Sequence, residues 1–452
     1  MVTNMNIREI ILDMLLELEK TDAYVNLLLA DVLEKYDCLD SREKAFIKRV
    51  TEGTVERRIQ IDYILDGISK VPVAKMKPLI RALLRSGVYQ ILFMDAVPDA
   101  AVCNESVRIA KRRKFVSLQG YVNGVLRNIS RQKQAISYPD RQTEPIAYLS
   151  VMYSMPEWLI EHFLRSYDMD TVEKVLQAFL KSAPVTLRME ENLTVETRDN
   201  LFTEWEKMGV KVTQHSYLPY AVQIEKADGL KRLPGYDKGF FAVQDVSSML
   251  VVEAAGIKAG QTVIDLCASP GGKSLHAASK LAGTGRVYSF DLTEQKVKRM
   301  EENRLRMRKE NMITAVRDAR VYQEELCKLA DVVIADVPCS GLGVIGKKQD
   351  IKYHVSEQSL KEITKLQKEI LKNAAAYVKE GGVLMYSTCT INPEENERMA
   401  EWLCEEFSFE PESMSAYLPE PLKEQGESGI LQLLPGIHET DGFFLAKLRA
   451  KA

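Results

Sequence analysis

The chain has 452 residues, a formal net charge of −3, 46% hydrophobic and 28% charged residues, which is too long for one core and calls for about two to four domains. No stretch approaches the ~20 uninterrupted apolar residues of a membrane span, and the opening MVTNMNIREIILDMLLELEK is charged and amphipathic rather than a signal peptide, so a cytoplasmic protein without a membrane partner is expected. The seven cysteines are odd in number and form no CxxC pair, and with five scattered histidines they argue against a disulfide framework and against a metal site.

Residues 1–135 read as helices throughout. Ile7, Ile10, Ile11, Met14, Leu15 and Leu18 recur at helical spacing, and similar patterns run through 22–36, 41–68, 76–94, 99–113 and 115–130. Within them RIAKRRKF, 108–115, carries five basic residues and no acid, with Arg127, Arg131 and Lys133 beyond it. This is a phosphate-facing patch or a solvated helix face. The polar stretch RQKQAISYPDRQTEP, 131–145, reads as a linker. Residues 146–240 read as a small α+β domain: helices near 155–166 and 169–181, a strand in APVTLRME, a helix near 195–208, and short strands in VKVTQH and AVQIEK.

From 241 to 452 strands and helices alternate. TVIDLC (262–267), RVYSFD (286–291), ITAV (313–316), DVVIADV (331–337) and VLMYSTC (383–389) are buried-strand candidates, separated by helices over 273–282, 294–309 and 356–379. The pattern predicts a doubly wound, mainly parallel α/β sheet. ILQLLP and GFFLAKLR add two antiparallel strands near the C-terminus. Ligands in such sheets bind beyond the carboxyl ends of the strands.

After the first strand comes CASPGGKS, 267–274. Gly271 and Gly272 let the backbone approach a ligand, and Lys273 opens a helix whose amides favour negative charge. A phosphate loop would need glycine at Cys267, and the dinucleotide pattern GxGxxG is absent. Asp291 and Asp318 follow the second and third strands, where carboxylates can accept ribose hydroxyls and an adenine amino group. A purely structural turn is the alternative; a nucleoside without a polyphosphate, such as S-adenosylmethionine, suits the acids better. Cys267 lines this turn or packs beneath it.

DVPCSGLG (336–343) and MYSTCT (385–390) set Cys339 and Cys389 just past two strands. One such cysteine is ordinarily packing; two converging on one rim with Asp336 suit covalent activation of a cytosine. A thiolate added to C6 makes C5 nucleophilic toward a methyl donor. That chemistry needs an attacking thiol, an acid–base partner and a group that assists release. Cys38, Cys103, Cys327 and Cys404 lie in helical or connecting segments and read as structural.

QDVSSML (244–250), DLCASPGGKS, DVPCSGLG, YSTCT with INPEEN, and ETDGFFLAKL (439–448) stand in the order of the RNA cytosine-5 methyltransferases of the RsmB/Nop/Sun kind, which the chain resembles over nearly its whole length. AVCNESVRIAKRRK with GYVNGVLRNI resembles the NusB-related helical module found at the N-terminus of the bacterial ribosomal RNA enzymes. The resemblance implies a NusB-like domain, an RNA-recognition-like middle domain and a Rossmann-like methyltransferase domain. It implies that Cys267, Ala268, Ser269, Pro270, Gly271, Gly272 and Lys273, with Asp291, Asp318 and Asp336, contact S-adenosylmethionine. It further implies that Cys389 is the nucleophile, that Cys339 assists product release, and that a cytosine of small-subunit ribosomal RNA is the substrate of a monomer. Transfer RNA methylation and a non-catalytic RNA-binding assembly role stay open. Arg188 is a candidate RNA contact or a surface ion-pair partner. Two departures stand out: Ser269 replaces the usual alanine, and GKKQDIKY (346–353) keeps Asp350 but has lysines in place of an arginine pair. Lysine lacks the planar fork, so RNA docking there is expected to differ.

Overall fold

Apolar spacing in the first helix, Ile7–Lys20, buries Ile10, Ile11, Met14 and Leu15 on one face, and the Asn6 side chain caps its start by accepting from Arg8 N. The computed structural model describes residues 6–21, 23–181, 183–227 and 229–451. By packing, the chain falls into two compact units, Met1–Lys181 with Ile345–His354, and Ser182–Val344 with Val355–Ala452.

The first unit is helical. After Ile7–Lys20 come Val25–Lys35, Ser41–Glu56, Arg58–Ile68, Pro78–Phe93, Asp99–Arg112 and Gln119–Gln132. Position 22, the expected start of the second helix, lies outside the described residues. The pattern over 41–68 is two helices, broken at Arg57 (φ −96°, ψ 14°); no proline or glycine marks the break. Asp40 and Glu43 close a capping box at Ser41. A further helix, Pro145–Tyr153, opens on proline, ahead of Glu157–Leu164 and Met169–Phe179. It is apolar around most of its circumference, so periodicity does not reveal it. In the basic run, Arg108 pairs with Glu105 at 2.6 Å, Arg112 with Glu9 at 2.7 Å and Arg113 with Asp13 at 2.5 Å. Three of its cations are thus engaged by acids of the same unit.

Ile345–His354 belongs to this unit although it follows the Cys339 loop in sequence. Buried Asp350 accepts from Val25 N at 2.6 Å, capping the second helix. Buried Lys352 donates to the Glu56 carbonyl at 2.7 Å, and the Arg58 guanidinium sits 3.5 Å from the centre of the Tyr353 ring. Asp350 and Lys352 are therefore packing groups, and only Lys347 and Lys348 of the GKKQDIKY run are exposed.

The second unit holds two sheets. β1 (Val185–Met189), β2 (Lys211–Gln214), β3 (Ala221–Glu225) and β4 (Phe241–Val243) form an antiparallel sheet in the order β2-β3-β1-β4. The helix Val195–Lys207 covers it, with Trp205 fully buried beside Leu187 and Phe241.

The larger sheet has β5 (Thr262–Asp265), β6 (Arg286–Asp291), β7 (Met312–Val316), β8 (Ala330–Asp336), β9 (Val378–Thr388), β10 (Phe409–Pro411), β11 (Ile430–Leu433) and β12 (Phe443–Ala450). Its order is β10-β12-β9-β8-β5-β6-β7, with β11 also on β12. β5 to β9 run parallel and β10 to β12 antiparallel, the expected Rossmann-like arrangement. Alternate residues feed two cores: Val263, Val332 and Met385 on one face, Ile264, Val333 and Leu384 on the other. The helix Val246–Ala255, buried along most of its length, has no helical stripe and is not among the helices expected from periodicity.

Two glycines close the rim of this sheet. Gly343 N donates to the Cys389 carbonyl at 3.0 Å, and Gly442 N to the Gly343 carbonyl at 2.9 Å. A Cβ on Gly343 would lie 2.0 Å from the Gly442 carbonyl oxygen. Gly343→Ala is expected to lower stability by about 1–3 kcal/mol in a urea titration, whereas Gly124→Ala, in open space on a helix, is expected to raise it by about 0.5–1 kcal/mol.

Candidate active site

β8 and β9 lie side by side with Asp336 opposite Ser387. The chain leaves β8 through Val337 and Pro338 to Cys339, and leaves β9 directly into Cys389. Their sulfurs stand 3.3 Å apart, and both residues are half-buried. The neighbouring Cys389 sulfur, then burial, push the Cys339 thiol well above its ordinary range, so Cys339 holds its proton at neutral pH.

A buried polar layer supports the two loops. Glu395 accepts from Ser340 N at 2.8 Å, Gln367 Nε2 at 3.1 Å and Asn392 Nδ2 at 2.9 Å. Burial pushes its carboxyl up, and these donors oppose the shift. Ser340 Oγ and Thr390 Oγ1 join the loops at 2.7 Å. Thr388 Oγ1 donates to Asn396 Oδ1 at 2.6 Å, and Asn396 Nδ2 to the Thr390 carbonyl at 3.0 Å.

Beside Asp336 lies a cleft of about 530 Å³, lined also by Val243, Gln244, Asp245, Ser248, Asp265, Cys267, Ala268, Ser269, Pro270, Gly272 and Lys273. Gly271, at φ 104°, turns the chain into the helix Gly272–Lys280. Asp336 links the cleft to the thiol rim: Oδ2 meets Lys273 Nζ at 2.6 Å, and Oδ1 accepts from Ser387 Oγ at 2.9 Å. Asp291 is buried and reaches the turn by accepting from Ser269 N at 2.9 Å. Asp318 stands apart from the cleft lining, with Arg320 Nη2 2.6 Å from its Oδ2. Cys267 lines the cleft, and burial pushes its thiol up.

The structure thus gathers 267–270, Gly272, Lys273 and Asp336 around one cleft, with Gly271 turning the chain between them and Cys339 and Cys389 just past the ends of β8 and β9. Sequence reasoning missed Asp265, Gln244, Asp245 and Ser248. Asp265 ends a strand, as Asp291 does, and that position was the available signal. Arg188 is neither an RNA contact nor a surface ion pair. It has no exposed surface, donates from Nε to Gln244 Oε1 at 2.9 Å and pairs with Glu190 at 3.0 Å. Glu191, Glu253 and His276 stand close enough to share a cation, but Lys280 Nζ already bridges the two carboxylates at 2.8 Å and 2.7 Å.

The 16S rRNA methyltransferase RsmB/F family model matches residues 254–449. The NusB family matches 5–131, and the RsmF/B-like ferredoxin-like domain matches 155–230. The probable ribosomal RNA small subunit methyltransferase B of Bacillus subtilis is 34% identical over 99% of both chains. The chain belongs to the RsmB/F family of methyltransferases. The ribosomal RNA small subunit methyltransferase B of Citrobacter koseri is 31% identical over 91% of this chain and 92% of its own. Among solved structures, PH0851 superposes with a TM-score of 0.79 at 26% identity over 99% of both chains. NSun6 from Pyrococcus horikoshii with SFG shares the fold, with a TM-score of 0.58 at 22% identity over 67% of this chain and all of its own.

As an RsmB/F enzyme the protein draws its methyl group from S-adenosylmethionine, and the cleft fits that donor. Asp265 Oδ1 is buried without a partner, as a group awaiting a ligand's hydrogen-bond donor would be. The glycine turn and helix start beside it supply backbone amides for an acidic group.

Burial pushes the Asp265 carboxyl up to about 7, against Ser274 Oγ, which donates to Oδ2 at 2.6 Å. The folded state therefore holds this proton more tightly than the unfolded chain. Its contribution to stability is complete at acid pH and disappears as pH rises through about 7. Asp265→Asn is expected to melt increasingly above the wild type as pH is raised from about 5 to about 8 without cofactor, as followed by calorimetry.

Proposed function

We propose that this RsmB/F enzyme methylates C5 of a cytosine in small-subunit ribosomal RNA through a transient bond between Cys389 Sγ and C6. The observation that carries the reading is the 3.3 Å approach of the Cys339 and Cys389 sulfurs on the strand ends that also bear Asp336.

Cys389, as thiolate, adds to C6 and leaves C5 with enamine character, competent to accept a methyl group. When bound, S-adenosylmethionine supplies an electrophilic methyl on sulfur. Residues 267–273, with Asp291 and Asp336, are assigned to hold it: the glycine turn and helix amides for its acidic end, the acids for its hydroxyl and amino groups; Asp318, paired with Arg320 outside the cleft lining, is assigned to reach it by releasing that arginine. Loss of the C5 proton to a base then breaks the Cys389–C6 bond and restores the ring. Cys339, protonated and in contact with the departing sulfur, assists that release by donating a hydrogen bond to the Cys389 thiolate as the bond breaks. Asp336, anchored by Lys273 and Ser387, is the acid–base partner.

Three modules share the work: 1–135 to hold RNA, 146–240 to orient it, and 241–452 for chemistry. In the first, Lys111 and Lys114 are the groups of the basic run assigned to phosphates, which position RNA without reading its sequence. The protein is read as a cytoplasmic monomer that uses no metal; among the described residues no helix is long and apolar enough to cross a membrane.

Cys389→Ala is expected to abolish methyl incorporation into protein-free small-subunit ribosomal RNA while leaving cofactor binding intact; turnover at the wild-type rate would remove Cys389 as nucleophile. Cys339→Ser is expected to trap the intermediate, seen as a protein–RNA band that persists in denaturing gels. Normal turnover with no such band would contradict the release role. Methyl incorporation into a transfer RNA pool, measured beside the ribosomal pool, tests the substrate class.

A further inference from the structure

Arg188 is a guanidinium with no exposed surface, five N–H donors and no acceptor. It stands on β1 opposite Ala242 of β4. Its Nη1 lies 3.0 Å from Glu190 Oε1, and the other oxygen of that carboxylate meets Lys309 Nζ at 2.5 Å. Its Nε donates to Gln244 Oε1 at 2.9 Å.

Because arginine only donates, the Gln244 carbonyl must face it, and the amino end of the amide must turn away. That amino end stands beside Ser248 Oγ at 3.5 Å, and both residues line the cleft. The same cleft presents the carboxylates of Asp245, Asp265 and Asp336. Lys273, the cation of that lining, is held by Asp336 at 2.6 Å, so a ligand's own carboxylate gains from a fixed neutral donor beside the turn amides.

We propose that Arg188 is a positioning residue: it locks the Gln244 amide so that its amino group joins the glycine-turn amides in receiving the carboxylate of the cofactor's amino-acid tail. The neighbouring acids receive the tail's ammonium group. This rests on the reading of the cleft as the S-adenosylmethionine site. It places one determinant of cofactor recognition in the small antiparallel sheet, outside the methyltransferase sheet.

The test is calorimetry on the full-length protein with S-adenosylhomocysteine and with 5′-methylthioadenosine, which lacks the tail carboxylate. Gln244→Glu keeps an acceptor for Arg188 but has no N–H to offer. It is expected to weaken S-adenosylhomocysteine by about tenfold or more while 5′-methylthioadenosine changes by less than about twofold. Arg188→Met, which releases the amide, is expected to show the same selectivity for the tailed ligand, and Arg188→Lys, which can still donate, a smaller loss. Should Arg188→Met fail to fold, Gln244→Glu decides alone. Equal loss of both ligands, or undiminished S-adenosylhomocysteine binding in Gln244→Glu, overturns the inference. A wild-type protein that binds neither ligand removes the cofactor reading itself, and this inference with it.

Discussion

Parallel pairing of β8 with β9 sets the separation of the two thiols. With Asp336 opposite Ser387, the two loops leave the sheet at one level and in one direction. A register slip of two residues would preserve the faces of the strand but shift one sulfur by about 6.6 Å relative to the other. The contact between the sulfurs is thus a consequence of sheet register, and register is itself held by the two cores that alternate residues of these strands feed. Buried apolar area on both faces keeps the thiol rim in place.

A second constraint is polar. Glu395 receives donors from both sides of the site, from the Cys339 loop through Ser340 and from the segment after Cys389 through Asn392. In a low-dielectric setting such a satisfied network rigidifies the elements it joins, and removal of one member leaves the rest unpaired. Within the INPEEN motif, Asn392, Glu395 and Asn396 thus tie the two thiol loops together, while Glu394 is exposed and pairs with Arg398. Gly343 and Gly442 act likewise from the other side, where only hydrogen fits between two backbones.

Much of the methyltransferase half was legible because parallel strands buried on both faces read as apolar runs, as Val332–Ala335 of β8 and Val383–Tyr386 of β9 do. The strand-end rule then pointed to the glycine turn, Asp336 and the cysteines. What escaped has separate physical causes. Pro145–Tyr153 and Val246–Ala255 are apolar nearly all round and lack the stripe that periodicity detects. The break at Arg57 carries no local signal. Arg188 looked like a surface residue because arginine is seldom fully buried, and of its partners Glu190 and Gln244 the second is distant in sequence. The basic run at 108–114 looked unopposed because Glu9 and Asp13 come from another helix.

By itself the sequence determined the order of elements, the family motifs and the identity of the groups that could react, since these depend on neighbours within a few positions along the chain. Only the tertiary structure decided which groups meet: Cys339 with Cys389, Lys273 with Asp336, Arg188 with Gln244, and Asp350 with the start of a helix some three hundred residues earlier. The reason is that a carboxylate, a thiol or a guanidinium takes its protonation, burial and partner from whatever folding brings within about 3 Å, and spacing along the chain carries no record of that distance.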